Sequence, residues 1–494
     1  MRSFFRICFL MLLLLTGLLC TASAERVSSQ VSLTIPKGMR SYRNQTIVIT
    51  APDDGVCDLE ITSSGTTFWR RTDIPVTAGD NEVVWDGTGF DGEYMPASRF
   101  HMTVRFSDGE GNTSEETKTF TMDKPAMALM YFIPDSDTLW LDSKRSWFFM
   151  YETTSPGRVL MKVAPLDDPE NFIGTVKLDA GESAERDSWD GCIDGTRLQE
   201  GQYRVVCYAR SAPEWSHEFT LTVARGAPET QEVGVTGPIM PSRSATDEEI
   251  WELMTAPAVV FDNGQGTGND ILSKPGKGGK VLGHVHGTGT ALEVIRIEEG
   301  GKWAYVGAWN LQKANYIEGY VKVSDLKVVT PAQDYGLLID KQTQTMVIFA
   351  NGERVAELKV STGNPALKYE TEAGSYLTCN RLASFRTGSY RYEFPFRING
   401  ATLIHSVGWL EHNSFRSFEN ENARLGTKAS HGCVRVERTT EGGYNAWWLW
   451  THLRWNTRVI IMDDPVQRAE YNASAGKTGR DDMPYTGAGT NGWD

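Results

Sequence analysis

Between residues 30 and 464, apolar and polar side chains alternate over short runs, and helical spacing of apolar positions is rare. Phe100-His101-Met102-Thr103-Val104 and Tyr203-Arg204-Val205-Val206-Cys207 show the pattern. Successive side chains of a strand point to opposite faces, so such runs bounded by Gly, Asp and Asn predict half-buried strands. The chain is therefore expected to be mainly β. The pattern also repeats. Trp85-Asp86-Gly87 and Trp189-Asp190-Gly191 each follow an Ala-Gly turn (Ala78-Gly79, Ala180-Gly181) and precede Asp-Gly (Asp91-Gly92, Asp194-Gly195). One of the two alternating runs comes next in each case, at an offset of 103 to 104 residues. That is the length of one β-sandwich, so two consecutive sandwiches are predicted, over 30–124 and 125–224.

Residues 225–255 read as a linker punctuated by Gly226, Pro228, Gly237-Pro238 and Pro241, with a short acidic helical patch around Glu248-Glu249-Ile250-Trp251. Short strands resume over 256–330, among them Val281-Leu282-Gly283, Leu292-Glu293-Val294-Ile295, Trp303-Ala304-Tyr305-Val306 and Gly319-Tyr320-Val321-Lys322. From Tyr335 the chain is again rich in strand signals, and Asn351-Gly352 between apolar runs predicts a two-residue hairpin. The aromatic run near the end could suggest a platform for stacking sugars. Tyr444, Trp447, Trp448 and Thr451 fall at helical spacing, however, which favours a helix packed into the core. Residues 465–494 carry Gly, Asp, Asn and Thr with no apolar period and read as a disordered tail.

The first 24 residues change the picture. Arg2 and Arg6 precede an apolar run from Ile7 to Leu19, and Ala22-Ser23-Ala24 follows as a small-residue cleavage site. This is the layout of a secretory signal peptide, too short to span a bilayer comfortably. The expectation is an exported protein, extracellular, in the cell wall or in a periplasm, with no membrane span once the peptide is cleaved. Loss of two arginines takes the net charge from −14 to −16. So acidic a chain argues against nucleic acid as a partner. Five of the seven cysteines remain: Cys57, Cys192, Cys207, Cys379 and Cys433. In an oxidising compartment an odd count leaves at least one thiol unpaired. Cys192 and Cys207 either staple a hairpin or stay as buried thiols.

The unpaired thiol has a natural candidate in Ser430-His431-Gly432-Cys433-Val434-Arg435. A thiol becomes a strong nucleophile when an imidazole lowers its pKa or takes its proton. A neighbouring glycine leaves backbone N–H groups clear to cradle an oxyanion. The motif reads as a cysteine acyl-transfer site. His284 and His286 alternate along a strand but lack a third ligand, so neither a metal nor an organic cofactor is expected, and both read as exposed polar positions.

Several segments in order carry a closer resemblance. Ser361-Thr362-Gly363 follows a hairpin. Thr371-Glu372-Ala373-Gly374-Ser375-Tyr376, Ile404-His405-Ser406, Leu425-Gly426, the cysteine motif and Asn456-Thr457-Arg458-Val459-Ile460-Ile461 come after it. Residues 334–464 so resemble the catalytic domain of the L,D-transpeptidases, which remodel peptidoglycan. The resemblance implies Cys433 as nucleophile, His405 as general base and acid, and the Ser406 carbonyl as the group that orients the imidazole. It also implies Gly432 and Cys433 N–H groups as oxyanion donors, His431 shaping the pocket and tuning the thiolate, and Ser430, Arg435 and Tyr376 lining the substrate cleft. Peptide stems of peptidoglycan are the implied partners, with carbapenem-type compounds as inhibitors. Two departures stand out. His405 and Cys433 are 28 positions apart, longer than the family's usual interval. The extra residues, 409–422, contain Glu411, His412, Phe415, Arg416 and Phe418 and read as a lid, with His412 as a rival base. A proline usual after Thr371 is replaced by Glu372. The Trp-Asp-Gly modules resemble immunoglobulin-like modules of bacterial surface and flagellar-hook proteins, either binding wall or acting as a spacer. Residues 256–330 resemble bacterial SH3-like small barrels. The expected architecture is two sandwiches, a linker, a small barrel, and a β-rich catalytic domain with a helix after the nucleophile.

Overall fold

A computed structural model describes residues 30–469 apart from 126, 143–145, 182, 227–230, 265–266, 311–314, 368, 383, 401, 413–414, 441–442 and 467. The expected signal peptide and nearly all of the expected tail lie outside the described residues. The fold is mainly β, as the alternation predicts. Among the described residues no helix is long and apolar enough to cross a membrane.

Residues 32–123 form a three-stranded and a five-stranded sheet, and the same pair of sheets recurs over Leu129–Ala224. The repeated Trp-Asp-Gly has one local cause in both copies. The indole N–H of Trp85 donates to the Thr88 carbonyl and that of Trp189 to the Cys192 carbonyl, each at 2.8 Å. Asp86 accepts from the Thr88 N–H and Asp190 from the Cys192 N–H. The glycine between has φ near +80° in both, and a Cβ on Gly87 would lie 2.1 Å from the Arg40 carbonyl oxygen. Only glycine closes this turn. All five described cysteines are free thiols, so Cys192 and Cys207 do not staple a hairpin.

Residues after the linker build a five-stranded sheet spanning Gly268–Lys322, closed by the pair Ala258–Phe261 and Leu326–Val329. His284 and His286 are not the exposed pair expected. His284 meets Asp270 at 2.6 Å, and His286 is buried with its ring against Gly400. The acidic patch is a helix, Asp247–Thr255, opened by a reciprocal Thr246–Glu249 capping box. Its Ile250 and Met254 pack on Val347, Phe349 and Ile460, so the linker is docked on the sheet of the last domain.

That sheet has eight strands in the order Gly374–Leu377, Arg458–Met462, Tyr335–Asp340, Thr345–Ala350, Glu353–Ser361, Val434–Val436, Thr402–Ser406 and Phe396–Asn399. The strand Thr402–Ser406 runs parallel to Val434–Val436, with His405 opposite Arg435. A helix, Ala446–His452, follows and buries Trp447, Trp448 and Trp450, packing the aromatic run into the core. At the other edge, the Ala291 N–H donates to Ser375 and the Leu377 N–H to Gly289. Residues 289–291 thereby add to the edge of the eight-stranded sheet.

The insert does not stand over the cleft as a free flap. Its strands Trp409–His412 and Phe415–Ser417 extend the hairpin of Phe385–Thr387 and Tyr390–Tyr392 into a four-stranded sheet. Trp409 and Phe418 at its two ends are buried in the hydrophobic core of the first module, with Phe418 5.9 Å from the Phe68 ring. The side chains of Glu411, His412, Phe415 and Arg416 lie outside the described residues.

Candidate active site

Cys433 sits immediately before Val434–Val436, and His405 lies on the adjacent parallel strand. The thiol receives a main-chain hydrogen bond from Leu403, two positions before His405. Nucleophile and imidazole therefore border the same two strands. The His405 ring is 3% exposed, boxed edge-on by Phe385 and Tyr392 at 5.3 and 5.0 Å. Its Nδ1 lies 2.7 Å from the Ser406 carbonyl oxygen. A carbonyl only accepts, so Nδ1 carries the proton and Nε2 keeps its lone pair. The family resemblance implies this contact for Ser406. Ser406 is itself held, its N–H donating to the Glu393 carbonyl and its hydroxyl accepting from the Glu393 N–H.

The turn carrying Cys433 is laced from several sides. The Ser430 hydroxyl donates to the Cys433 carbonyl at 2.5 Å and accepts the Gly432 N–H at 3.1 Å. Gly432 N–H thus has an internal acceptor in this structure rather than standing open to an oxyanion. Gly432 has φ +114°, and a Cβ there would come 3.0 Å from the Glu370 carbonyl oxygen. Thr371 completes the brace, its hydroxyl donating to the Gly432 carbonyl and accepting from the Gly363 N–H, both at 2.8 Å. Gln344 clamps Thr362 through both ends of its amide, and the Thr362 carbonyl accepts the Ser430 N–H. A buried Lys341–Glu370 ion pair lies beneath, where burial lifts the Glu370 carboxyl to about 7 against the pull of Lys341.

Other residues assigned by sequence fall elsewhere. His431 is exposed, its ring edge-on to Tyr369 at 4.4 Å. Tyr376 does not line a cleft. It is 1% exposed, with its hydroxyl donating to the Ala373 carbonyl. Arg435 is buried and already paired, at 2.6 Å, with Glu421 from the end of the insert, and it also donates to the Tyr392 hydroxyl. Gln344, Tyr392, Glu393, Glu421 and Arg438 were not singled out from sequence, and Thr371 was named within a motif but given no role. Each acts across strands or loops far apart in the chain, and local spacing carries no trace of such contacts.

Burial pushes the Cys433 thiol up, against the opposing pull of the Leu403 hydrogen bond and the Arg435 and Arg397 cations. Burial also pushes the His405 imidazole down to about 3, opposed by the Ser406 carbonyl and reinforced by Arg435. Both shifts favour the neutral forms, thiol and imidazole, over a thiolate with imidazolium. The base is lost only as pH falls towards 3. Acylation of Cys433 is therefore expected to show no fall near pH 6.5, where an ordinary histidine titrates. The rate should climb in alkali as the thiol ionises. Rates of adduct formation followed by mass spectrometry across this range check it, and a half-loss centred near pH 6.5 would contradict the buried imidazole.

Residues 334–461 match the sequence model of the YkuD family, described as the L,D-transpeptidase catalytic domain. Among solved structures, an L,D-transpeptidase from Mycobacterium smegmatis aligns at 12% identity over 48% of this chain and 98% of its own, with a TM-score of 0.23. L,D-transpeptidase 3 from Mycobacterium tuberculosis, solved with a faropenem-derived adduct, aligns at 17% over 33% and 68%, with a TM-score of 0.21. The hook-capping protein FlgD from Xanthomonas campestris aligns at 22% over 20% and 75%, with a TM-score of 0.16. No curated protein matches the chain significantly.

Proposed function

Taking residues 334–461 as an L,D-transpeptidase catalytic domain, we propose that this chain is an exported peptidoglycan transpeptidase that makes 3→3 cross-links through a Cys433 thioester. The observation that carries this reading is the imidazole of His405, fixed in one tautomer by Ser406 on the strand beside the nucleophile. As the Cys433 sulfur attacks the carbonyl of the third residue of a tetrapeptide stem, the thiol proton passes to His405 Nε2. With Gly432 N–H committed to Ser430, the amide of Cys433 is the donor assigned to the oxyanion. The tetrahedral adduct collapses, its C–N bond breaks, and terminal D-alanine leaves with the proton from His405. A side-chain amine of a second stem then attacks the thioester and yields its proton to His405. The amide forms, the sulfur departs and the thiol is restored. A thioester suits this because it is activated toward an amine yet persists where water is limited.

Incubation of the purified chain with disaccharide tetrapeptide tests the proposal. Cross-linked dimers with release of D-alanine are expected. Trimmed tripeptides without dimers would reject transfer in favour of an L,D-carboxypeptidase. A folded protein that changes nothing and takes no carbapenem adduct would point to a wall-binding role without catalysis.

A further inference from the structure

We propose that the first N-terminal module is a working part of the catalytic site, holding the nucleophile strand through Glu421 and Arg438, which act as positioning residues; the inference rests on the reading above only in naming the reaction. Two continuous paths connect the module to the reacting groups. In the first, Phe418 packs on Phe68, and the amide of Asn422 donates to the Thr66 hydroxyl at 3.2 Å, so both ends of the short helix Glu419–Asn422 rest on the module. Glu421 of that helix meets Arg435 at 2.6 Å and Arg424 at 3.0 Å. Arg435 lies two positions past Cys433, opposite His405, and its guanidinium donates to the hydroxyl of Tyr392, whose ring packs edge-on against the imidazole. In the second path, Arg438 is buried between Glu93 of the module and Glu393. Glu393 in turn exchanges both main-chain groups with Ser406, whose carbonyl sets the tautomer of His405.

Insert and module therefore explain each other. An insert with only a loop to build would have no need of two large apolar residues in another domain's core, nor of a carboxylate buried against a residue of the nucleophile motif. A buried ion pair is costly unless both partners are matched, so Glu421 fixes Arg435 where the insert is seated and leaves an uncompensated cation where it is not. A spacer role for this module does not account for these contacts.

The charged and titratable groups facing Arg435 and Cys433 are Glu421, Arg424, Tyr392, His405, His431, Arg397 and Glu372. Removing the Glu421 charge leaves the Arg435 cation uncompensated, which favours the thiolate. The test uses the full chain and follows iodoacetamide alkylation of Cys433 against pH by peptide mass spectrometry, with the half-exposed Cys192 as internal reference. Glu421→Gln is expected to move the Cys433 midpoint down by about one unit. Carbapenem acylation should nonetheless slow about tenfold, because an Arg435 released from Glu421 no longer holds the nucleophile strand in register with His405, while Cys192 stays unmoved. Glu421→Asp should recover most of the rate, and a faster acylation in Glu421→Gln would overturn the positioning role. Phe418→Ala, which releases the helix from the module, should shift the midpoint in the same direction by less. Should Glu421→Gln fail to fold, the double change Glu421→Gln with Arg435→Gln leaves no stranded charge and is expected to move the midpoint upwards, since the cation near the thiol is gone. Midpoints and rates equal to wild type in folded variants would overturn the proposal. Failure of wild type to form any carbapenem adduct would instead refute the transpeptidase reading and leave the alkylation result standing.

Discussion

Cys433→Ala is expected to abolish covalent capture of a carbapenem and formation of dimers, leaving no measurable rate, while the protein stays folded. The loss should be total because the chain offers no second nucleophile of this kind among the described cysteines. Burial pushes Cys57 up to about 11 and Cys379 to about 12, and raises Cys207 as well, so these thiols stay protonated at neutral pH. Cys192 lies on a short strand paired with Thr196–Arg197 in the second module, not on a strand next to the one that carries His405. Stability should change little, since the turn is held by Ser430, Thr371 and Gly432 through main-chain groups that alanine retains. Intact-mass measurement after carbapenem treatment, with a melting curve alongside, checks both halves. An adduct on the variant would move the chemistry to another residue.

The second large effect belongs to the base. With the thiol pushed up by burial, attack at neutral pH needs a group to receive its proton, and His405 Nε2 is the lone pair held ready. His405→Ala should slow acylation by about a hundred- to ten-thousandfold. Binding of the stem should stay nearly unchanged, because the ring is enclosed by Phe385 and Tyr392 rather than open to solvent. Two further readouts separate loss of a base from loss of shape. Added imidazole should restore part of the rate by entering the vacated space, and the deficit should narrow in alkali as the thiol ionises unaided. Comparable acylation by wild type and variant would refute the assignment. His405→Gln, closer in volume, guards against collapse of the aromatic box.

Much of this was legible in the sequence because it is written locally. Alternation marked the strands, the doubled Trp-Asp-Gly marked two similar modules, and Ser-His-Gly-Cys with an upstream His-Ser marked the candidate site. Each depends on residues within a few positions of one another. The relation of the insert to the first module was not legible. Trp409 and Phe418 look like any apolar residues of a loop, and nothing near them in sequence names Phe68 as a neighbour. Arg435 shows the same limit from the other side. Its place in the motif suggested a hand extended to substrate, whereas its partner is a glutamate 14 positions upstream that no periodicity connects to it. Tyr376 was expected in the cleft on the resemblance alone, and nothing local in the sequence shows that other elements cover it. Gly432 was read for its freedom from a side chain, which holds, yet the neighbouring Ser430 hydroxyl takes the N–H that the glycine was expected to offer.

The ladder shared by Gly289, Ala291, Ser375 and Leu377 bears on how such a molecule can be cut. A fragment beginning near residue 334 would carry the motif entire, yet it would bare the Gly374–Leu377 margin and strip the cover from Trp409 and Phe418. Unpaired margins of this kind recruit other chains. Crystallographers and enzymologists wishing to trim this protein would do better to keep everything from residue 30 onward, since the minimal catalyst and the whole architecture are here nearly the same object.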